Sequence, residues 1–162
     1  MIAVVSNGFA VLELGNIGAR ASFPVIEGKC VLFRNFGIVA AFSMCMDSQD
    51  NDIITAVVKL LEALFPGVNL GDIDAPCCFG IEERLEAETG MISLHDDRYG
   101  TSIVTLACLF NALKFYSKEL KGVSIVINEA AGFSIVQLLN YLYAANIVVC
   151  DLRGIISSTR TL

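Results

Sequence analysis

The sequence has no cluster of basic residues. Its 162 residues include 11 Lys and Arg against 17 Asp and Glu, which gives a formal net charge of −6 at neutral pH. Proteins that bind nucleic acid concentrate Lys and Arg on one surface in order to neutralise phosphates. Nucleic acid is therefore excluded from the predicted partners.

The sequence also lacks the C-x-x-C spacing of structural zinc sites, although it has six cysteines. The adjacent Cys77 and Cys78 allow two interpretations, a redox-active pair or two ordinary thiols beside a turn proline. Residues 1–9 carry no positively charged region, so no signal peptide is predicted. Without an export signal, we expect reduced thiols and a cytoplasmic location.

Charged residues are scarce. They make up 17% of the chain, and 55% of the residues are hydrophobic, whereas about 25% charged residues are usual in a globular protein. A chain of this length can bury one substantial core, as one domain or two incomplete lobes. The apolar excess predicts that some faces are covered by further chain or by a second subunit, so a homo-oligomer or a partner-dependent protein is expected.

One uncharged stretch, residues 130–150, is long enough to cross a bilayer as a helix. Polar residues such as Gln137 and Asn140 interrupt it, and its end at residues 147–150 is β-branched and typical of a strand. The stretch is therefore interpreted as part of a folded domain, and no membrane is predicted as a partner.

The hydrophobic pattern predicts an α/β fold. In the first half, two apolar runs around a turn at residues 6–8 predict a β-hairpin, and a helix is expected beyond Pro24. A strand at residues 40–46 is followed by a polar loop, in which residues 50–52 can cap the next helix.

In the second half, residues 81–88 predict an acidic, exposed helix with Ile81 and Leu85 on its inner side. Residues 101–116 carry apolar side chains on nearly every face, which predicts a buried helix. Residues 123–150 read as strand, helix and strand, which is a βαβ unit with a right-handed crossover.

Four short motifs occur in one order along the chain. They are Val-Val-Ser-Asn-Gly at 4–8, Leu-Gly-Asn-Ile-Gly at 14–18, Pro-Val-Ile-Glu-Gly-Lys at 24–29 and His-Asp-Asp-Arg-Tyr-Gly-Thr at 95–101. As a set, they resemble bacterial-type malic enzymes over residues 2–154. The resemblance implies a malate- and metal-binding lobe joined to a dinucleotide-binding lobe. It also implies oxidation of malate by NAD or NADP, with loss of carbon dioxide to give pyruvate.

The resemblance also implies the domain organisation. Residues 1–111 correspond to a partial malate- and metal-binding substrate lobe, and residues 112–162 to a truncated, Rossmann-like NAD(P)-binding segment with one incomplete βαβ unit. Family members carry a catalytic tyrosine upstream of the matched segment and malate-binding asparagines downstream of it. The chain is therefore expected to be a fragment of such an enzyme.

The resemblance assigns a base and a metal site. Lys29 corresponds to the lysine that takes the proton from the malate hydroxyl, although by itself a lysine reads as a solvated cation. Asp72, Asp96 and Asp97 correspond to the segment that holds Mg²⁺ or Mn²⁺, ions that prefer oxygen ligands. Gly71 stands where the family has a glutamate, so one ligand is missing. Without the resemblance, Asp96 and Asp97 would be interpreted as a helix cap.

Residues around the second aspartate pair also differ from the family pattern. His95 is part of that pattern but not a metal ligand there, so a packed, hydrogen-bonded ring is expected. Arg98 and Tyr99 replace an uncharged glutamine and a variable residue, and these changes alter the expected shape of the site.

The predicted dinucleotide site is incomplete. Family members have a glycine-rich turn that lets backbone N–H groups approach the pyrophosphate at a helix N-terminus. Here only Gly132 remains, and Glu129 would place a carboxylate near the phosphates. Asp151 follows at the spacing, about 20 residues, of the acid that binds the adenine ribose in NAD-type sites. A polar residue that closes a strand is the other interpretation of Asp151.

Two main functional hypotheses follow. The first is a malic-enzyme-like oxidoreductase that depends on a divalent metal and NAD(P) and is weak or inactive as it stands; Lys29, Asp96 and Asp97 favour it. The second is a non-catalytic remnant or pseudoenzyme that acts as a partner-bound protein; Gly71 and Glu129 favour it. A bare metal- or nucleotide-binding module is a third, minor option.

Overall fold

The computed structural model of the chain describes residues 1–74, 77–128, 132–151 and 154–156, with all their side chains except those of Asp97, Gly132 and Phe133. The chain divides into two compact units, Met1–Asp96 and Asp97–Leu162. The sequence predicted a boundary between two lobes after residue 111, which is 15 residues after the boundary in the structure. Their assignment as substrate and cofactor lobes stays a prediction.

The first unit is built on a four-stranded parallel sheet. Its strands are β1 (Ile2–Ser6), β2 (Ala41–Cys45), β3 (Gly67–Leu70) and β4 (Ile92–His95), in the spatial order β2-β1-β3-β4. Parallel strands need crossover connections, and the helices in those connections cover the sheet. Val4 and Val5, whose side chains point to opposite faces of β1, are both fully buried.

Two helices of the first unit form its main core. Helices α2 (Asn51–Leu60) and α3 (Cys77–Glu88) pack their apolar sides on the face of the sheet that carries Val5 and Leu70. The predicted cap of α2 is confirmed, since the Asp50 carboxylate accepts hydrogen bonds from the N–H groups of the first turn. The inner positions Ile81 and Leu85 of α3 are fully buried, as predicted.

The predicted β-hairpin is wrong. β1 pairs in parallel with β2 and β3, and the only antiparallel contact in this described segment is an isolated bridge between Val11 and Gly15. The turn at residues 6–8 instead leads into a loop that is closed at the Gly8 carbonyl, which accepts the N–H groups of Ile17 and Gly18. A strand that is buried on both faces belongs in the centre of a sheet, and its partners come from distant sequence.

The predicted start of the first helix is also wrong. Helix α1 (Gly18–Gly37) begins six residues before Pro24, which therefore lies inside the helix. A proline at that position has no N–H to donate to the carbonyl four residues earlier. Ala19, Ser22 and Ile26 are buried on one side of α1, so packing on the sheet outweighs the local cost of the proline.

The second unit contains helix α4 (Asp96–Phe115) except for its first residue, helix α5 (Gly132–Tyr141) and a small sheet. The sheet has the order β5 (Ser124–Asn128), β6 (Asn146–Asp151) and β7 (Gly154–Ile155), with β5 and β6 parallel and β7 antiparallel to β6. This arrangement confirms the predicted strand, helix and strand. The buried centre is formed by Leu106, Ile127, Ile135 and Leu139.

Two features of the second unit expose apolar surface. Helix α4 begins at Asp96, earlier than predicted, and exposes Ile103 and Val104, so the expectation of burial on nearly all faces is wrong. Val126 is 66% exposed, on the opposite face of β5 from the buried Ile127. Parallel sheets are usually covered on both faces.

Within the described ranges, no helix is long and apolar enough to span a membrane.

The exposed apolar face of β5 and β6 predicts that the protein associates with itself. Val148 is paired with Val126 and lies on the same face. We expect Val148→Lys to lower the average mass of the protein in light scattering, because a charge on an apolar contact surface opposes association. Glu86→Lys, on an exposed position of α3, is the control and should leave the mass unchanged. A monodisperse monomer for the unaltered chain would contradict the prediction.

Candidate active site

Lys29 lies between two carboxylates of the first unit. Its Nζ is 2.8 Å from Oδ2 of Asp96 and 3.3 Å from Oδ1 of Asp72. The side chain of Asp72 is 5% exposed, that of Lys29 21% and that of Asp96 31%. Three residues from distant parts of the sequence, all predicted as site residues, therefore form one cluster.

The sheet explains why these residues meet. Asp96 directly follows β4, and Asp72 follows β3 by two residues, so both lie at the carboxyl ends of adjacent parallel strands, where α/β proteins place their ligand sites. Asp72 has φ 55°, in the left-handed region. Its carbonyl accepts the N–H groups of Phe9 and Ala10, and these bonds hold the backbone in that conformation.

Gly71 leaves the space that the ammonium group occupies. A Cβ atom built on Gly71 would lie 2.5 Å from Nζ of Lys29, and 3.2 and 3.3 Å from the two carboxylate oxygens of Asp96. A side chain at this position and the present position of Lys29 therefore exclude each other. Gly71 is the position at which the sequence predicted a missing metal ligand.

The described residues include no complete metal site. Among them, no group of three or more His, Cys, Asp or Glu side chains could hold a metal ion. Asp72 and Asp96 both contact the ammonium of Lys29, which lies between their carboxylates in place of a metal ion. The side chain of Asp97, the third predicted ligand, lies outside the described residues. Asp96 and Asp97 also begin α4, where negative charge is favoured by the helix dipole.

The sequence interpretation missed a buried carboxylate beside this cluster. Glu82 is 1% exposed, and its Oε1 accepts the backbone N–H of His95 at 2.9 Å. Its position on α3 follows the spacing of the buried Cys78, Ile81 and Leu85, so helical periodicity could have identified it. This carboxylate fixes the backbone at the end of β4, just before Asp96.

His95 is packed, as expected, at 2% exposure. The expected hydrogen bond of its ring is not found, since neither ring nitrogen has a partner within the described part of the chain. Glu82 bonds the backbone N–H of His95 through Oε1, so the strand end is held through the main chain.

Two thiols lie near the cluster. Burial raises the pKa of Cys45, the charge of Asp72 adds to this rise, and a hydrogen bond with Ser22 partly opposes it. Burial also raises the pKa of Cys30, with further contributions from Glu27 and Cys45. Both thiols are therefore protonated near neutral pH and are poor nucleophiles. All six cysteines are free, so Cys77 and Cys78 form no disulfide.

The predicted cofactor residues belong to the second unit. Gly132 is the first residue of α5, and Asp151 is the last residue of β6 and is exposed. Because β5 and β6 are parallel, both residues lie toward the same edge of this strand pair, as a ribose and phosphate site requires. Glu129, the predicted source of repulsion, lies outside the described residues.

The sequence of the chain is similar to a known family model and to several known enzymes. Residues 1–59 match the family model for the N-terminal domain of malic enzyme. Along 99% of its length, the chain is 51% identical to the bifunctional malic/malolactic enzyme of Bacillus subtilis. The chain belongs to the malic enzyme family. It is also 44% identical to the NAD-dependent malic enzyme of Geobacillus stearothermophilus and 43% identical to the NADP-dependent malic enzyme of Escherichia coli.

Solved malic enzyme structures share the fold. The NAD-dependent malic enzyme of Thermotoga maritima superposes with a TM-score of 0.93 at 44% identity, covering 97% of this chain and 42% of that one. The malic enzyme of Pyrococcus horikoshii gives 0.92 at 40% identity, with 99% and 39% covered. The chain spans 40% of the length of the Bacillus subtilis relative and 34% of the Geobacillus stearothermophilus relative.

Proposed function

We propose that this chain carries part of the catalytic site of a malic enzyme, which oxidises malate with NAD or NADP and releases carbon dioxide to give pyruvate. The observation that supports it best is the cluster of Lys29, Asp72 and Asp96 at the carboxyl ends of β3 and β4. The NAD- and NADP-dependent malic enzymes among the relatives support the substrate class and leave the choice of cofactor open.

Lys29 is the proposed base. A bound dinucleotide would accept the C2 hydride of malate, and Lys29 would take the hydroxyl proton at Nζ. The C3–C4 bond then breaks, carbon dioxide leaves, and the electron pair left on C3 is later protonated to give pyruvate. Lys29 can accept a proton only when its amine is neutral, whereas the neighbouring carboxylates of Asp72 and Asp96 favour the charged ammonium.

Asp72 and Asp96, together with Asp97, are the proposed holders of Mg²⁺ or Mn²⁺. Such an ion would act as a Lewis acid toward the oxygen atoms of malate. Three carboxylates leave places open around a hard cation with near-octahedral geometry, and water and substrate can fill them. Gly71 contributes none, so weak binding is part of the proposal.

Gly132 and Asp151 are the proposed contacts of the dinucleotide, at the start of α5 and the end of β6. We also propose a cytoplasmic location, since six free thiols suit a reducing compartment. A homo-oligomer is proposed because exposed apolar residues such as Ile103 and Val126 need cover.

A non-catalytic, partner-bound protein is the second candidate function. The observation that favours it is the ammonium of Lys29 in the space beside Gly71, because a base that is held between two carboxylates is not ready to take a proton.

Activity measurements test the proposal. The chain alone should produce NAD(P)H from malate at a rate at least tenfold below the usual enzyme turnover of about 10 per second. Lys29→Met should abolish this residual rate, because it removes the base. Lys59→Met, which removes an exposed ion pair with Glu88, should leave the rate unchanged.

The outcomes separate the two candidate functions. Equal residual rates in the unaltered chain and the Lys29→Met variant would contradict the role of Lys29. No rate above background in the unaltered chain would favour the non-catalytic protein. A rate within tenfold of ordinary enzymes would exclude the non-catalytic protein.

A further inference from the structure

The Lys29 ammonium contacts one oxygen atom of each of two carboxylates that are proposed to hold the divalent cation. Oδ1 of Asp72 and Oδ2 of Asp96 both lie within ion-pair distance of Nζ. A metal ion bound to these oxygens would lie within a few ångströms of a like charge, and like charges repel strongly at that distance. The ammonium and a divalent cation therefore cannot both occupy this position.

We infer that Lys29 is a tethered competitor of the divalent cation, and that Gly71 is the residue that makes room for it. In the absence of the metal ion, the ammonium holds Asp72 and Asp96 together; when the ion binds, the ammonium must leave. This inference rests on the metal site of the proposed function. It implies that the chain binds metal weakly for two reasons, a missing carboxylate and an internal cation.

Gly71 offers a way to separate these two reasons. Its φ lies outside the left-handed region, so alanine fits the backbone there. The only atom within 3.0 Å of the added Cβ is Nζ of Lys29, at 2.5 Å, which is the far end of a flexible side chain. Gly71→Ala would therefore push the ammonium away from its present position without adding a metal ligand.

The test measures the dissociation constant of Mn²⁺ for the full chain, by calorimetry and by the electron paramagnetic resonance of free Mn²⁺. Gly71→Ala should tighten binding about tenfold, which is the factor expected if the open form is a tenth of the population. Lys29→Met should tighten it at least as much. The double variant should bind no more tightly than Lys29→Met, since both changes remove the same competitor.

The control is Gly80→Ala, on α3, where an added Cβ meets nothing within 4 Å; it should leave the Mn²⁺ affinity unchanged. Tighter binding in Lys29→Met with no change in Gly71→Ala would overturn the role of Gly71. Weaker binding in Lys29→Met would overturn the competition itself. No Mn²⁺ binding in any variant would overturn both this inference and the proposed metal site, whereas missing activity with these affinity changes present would count against the proposed function alone.

Discussion

Gly8→Ala is expected to destabilise the protein by at least about 3 kcal/mol, a large share of the roughly 5–15 kcal/mol available to a folded domain. Gly8 has φ 73°, and an added Cβ would lie 2.5 Å from the carbonyl oxygen of Gly18 and 2.5 Å from Oγ of Ser22. Backbone cannot move away as a side-chain end can. Because the Gly8 carbonyl also accepts the N–H groups that begin α1, the strain falls on the helix that carries Lys29.

Gly15→Ala is the matched control. Gly15 also has a left-handed backbone, with φ 68°, but an added Cβ there meets nothing within 4 Å. It should cost only the roughly 1–2 kcal/mol of the left-handed conformation. Thermal or urea unfolding of both variants measures the difference. Equal losses would show that the close contact of Gly8 with α1 contributes nothing.

Gly71→Glu is expected to tighten Mn²⁺ binding about a hundredfold, or about 2.7 kcal/mol. The added side chain displaces the Lys29 ammonium and supplies the carboxylate that is missing from the predicted ligand set. Calorimetry beside Gly71→Ala separates the two contributions, since alanine supplies only the displacement. The same affinity in the unaltered chain and in the glutamate variant would show that the metal site is mapped to the wrong residues.

Asp97→Ala completes that series. It should abolish Mn²⁺ binding in the unaltered chain, because a site with few carboxylates cannot lose another one. Asp47→Ala, at an exposed position outside the cluster, keeps the change in net charge and should leave the affinity unchanged. Similar losses in both variants would point to a general charge effect.

Local signals in the sequence predicted the elements whose stabilising contacts are local. The Asp50 cap of α2 and the inner face of α3 both depend on residues within a few turns of one another. The pairing of β1 could not be predicted in this way, because its partners Met44 and Leu70 are far along the chain. A nearby turn signal favoured the wrong pairing, and packing on the sheet overrode Pro24 in α1.

The site could be predicted only in part, for a similar reason. The motifs indicated Lys29, Asp72 and Asp96 as members of one site, and the structure brings the three together. The sequence assigned Asp96 to the metal, and that role stays a prediction; the structure shows the carboxylate in the shorter ion pair with Lys29. The ammonium fills the space beside Gly71. This arrangement depends on distances between atoms, which a sequence motif does not contain.

The left-handed backbone of Asp72 affects how the evolutionary record of this site can be read. At φ 55°, held by two N–H groups from the loop after β1, only glycine, asparagine and aspartate fit at low cost. The fold therefore restricts this position whether or not a metal ion ever binds. An aspartate retained here during divergence says little about retained catalysis, and the helical positions Lys29 and Asp96, which carry no such backbone constraint, are the better indicators of selection on the reaction.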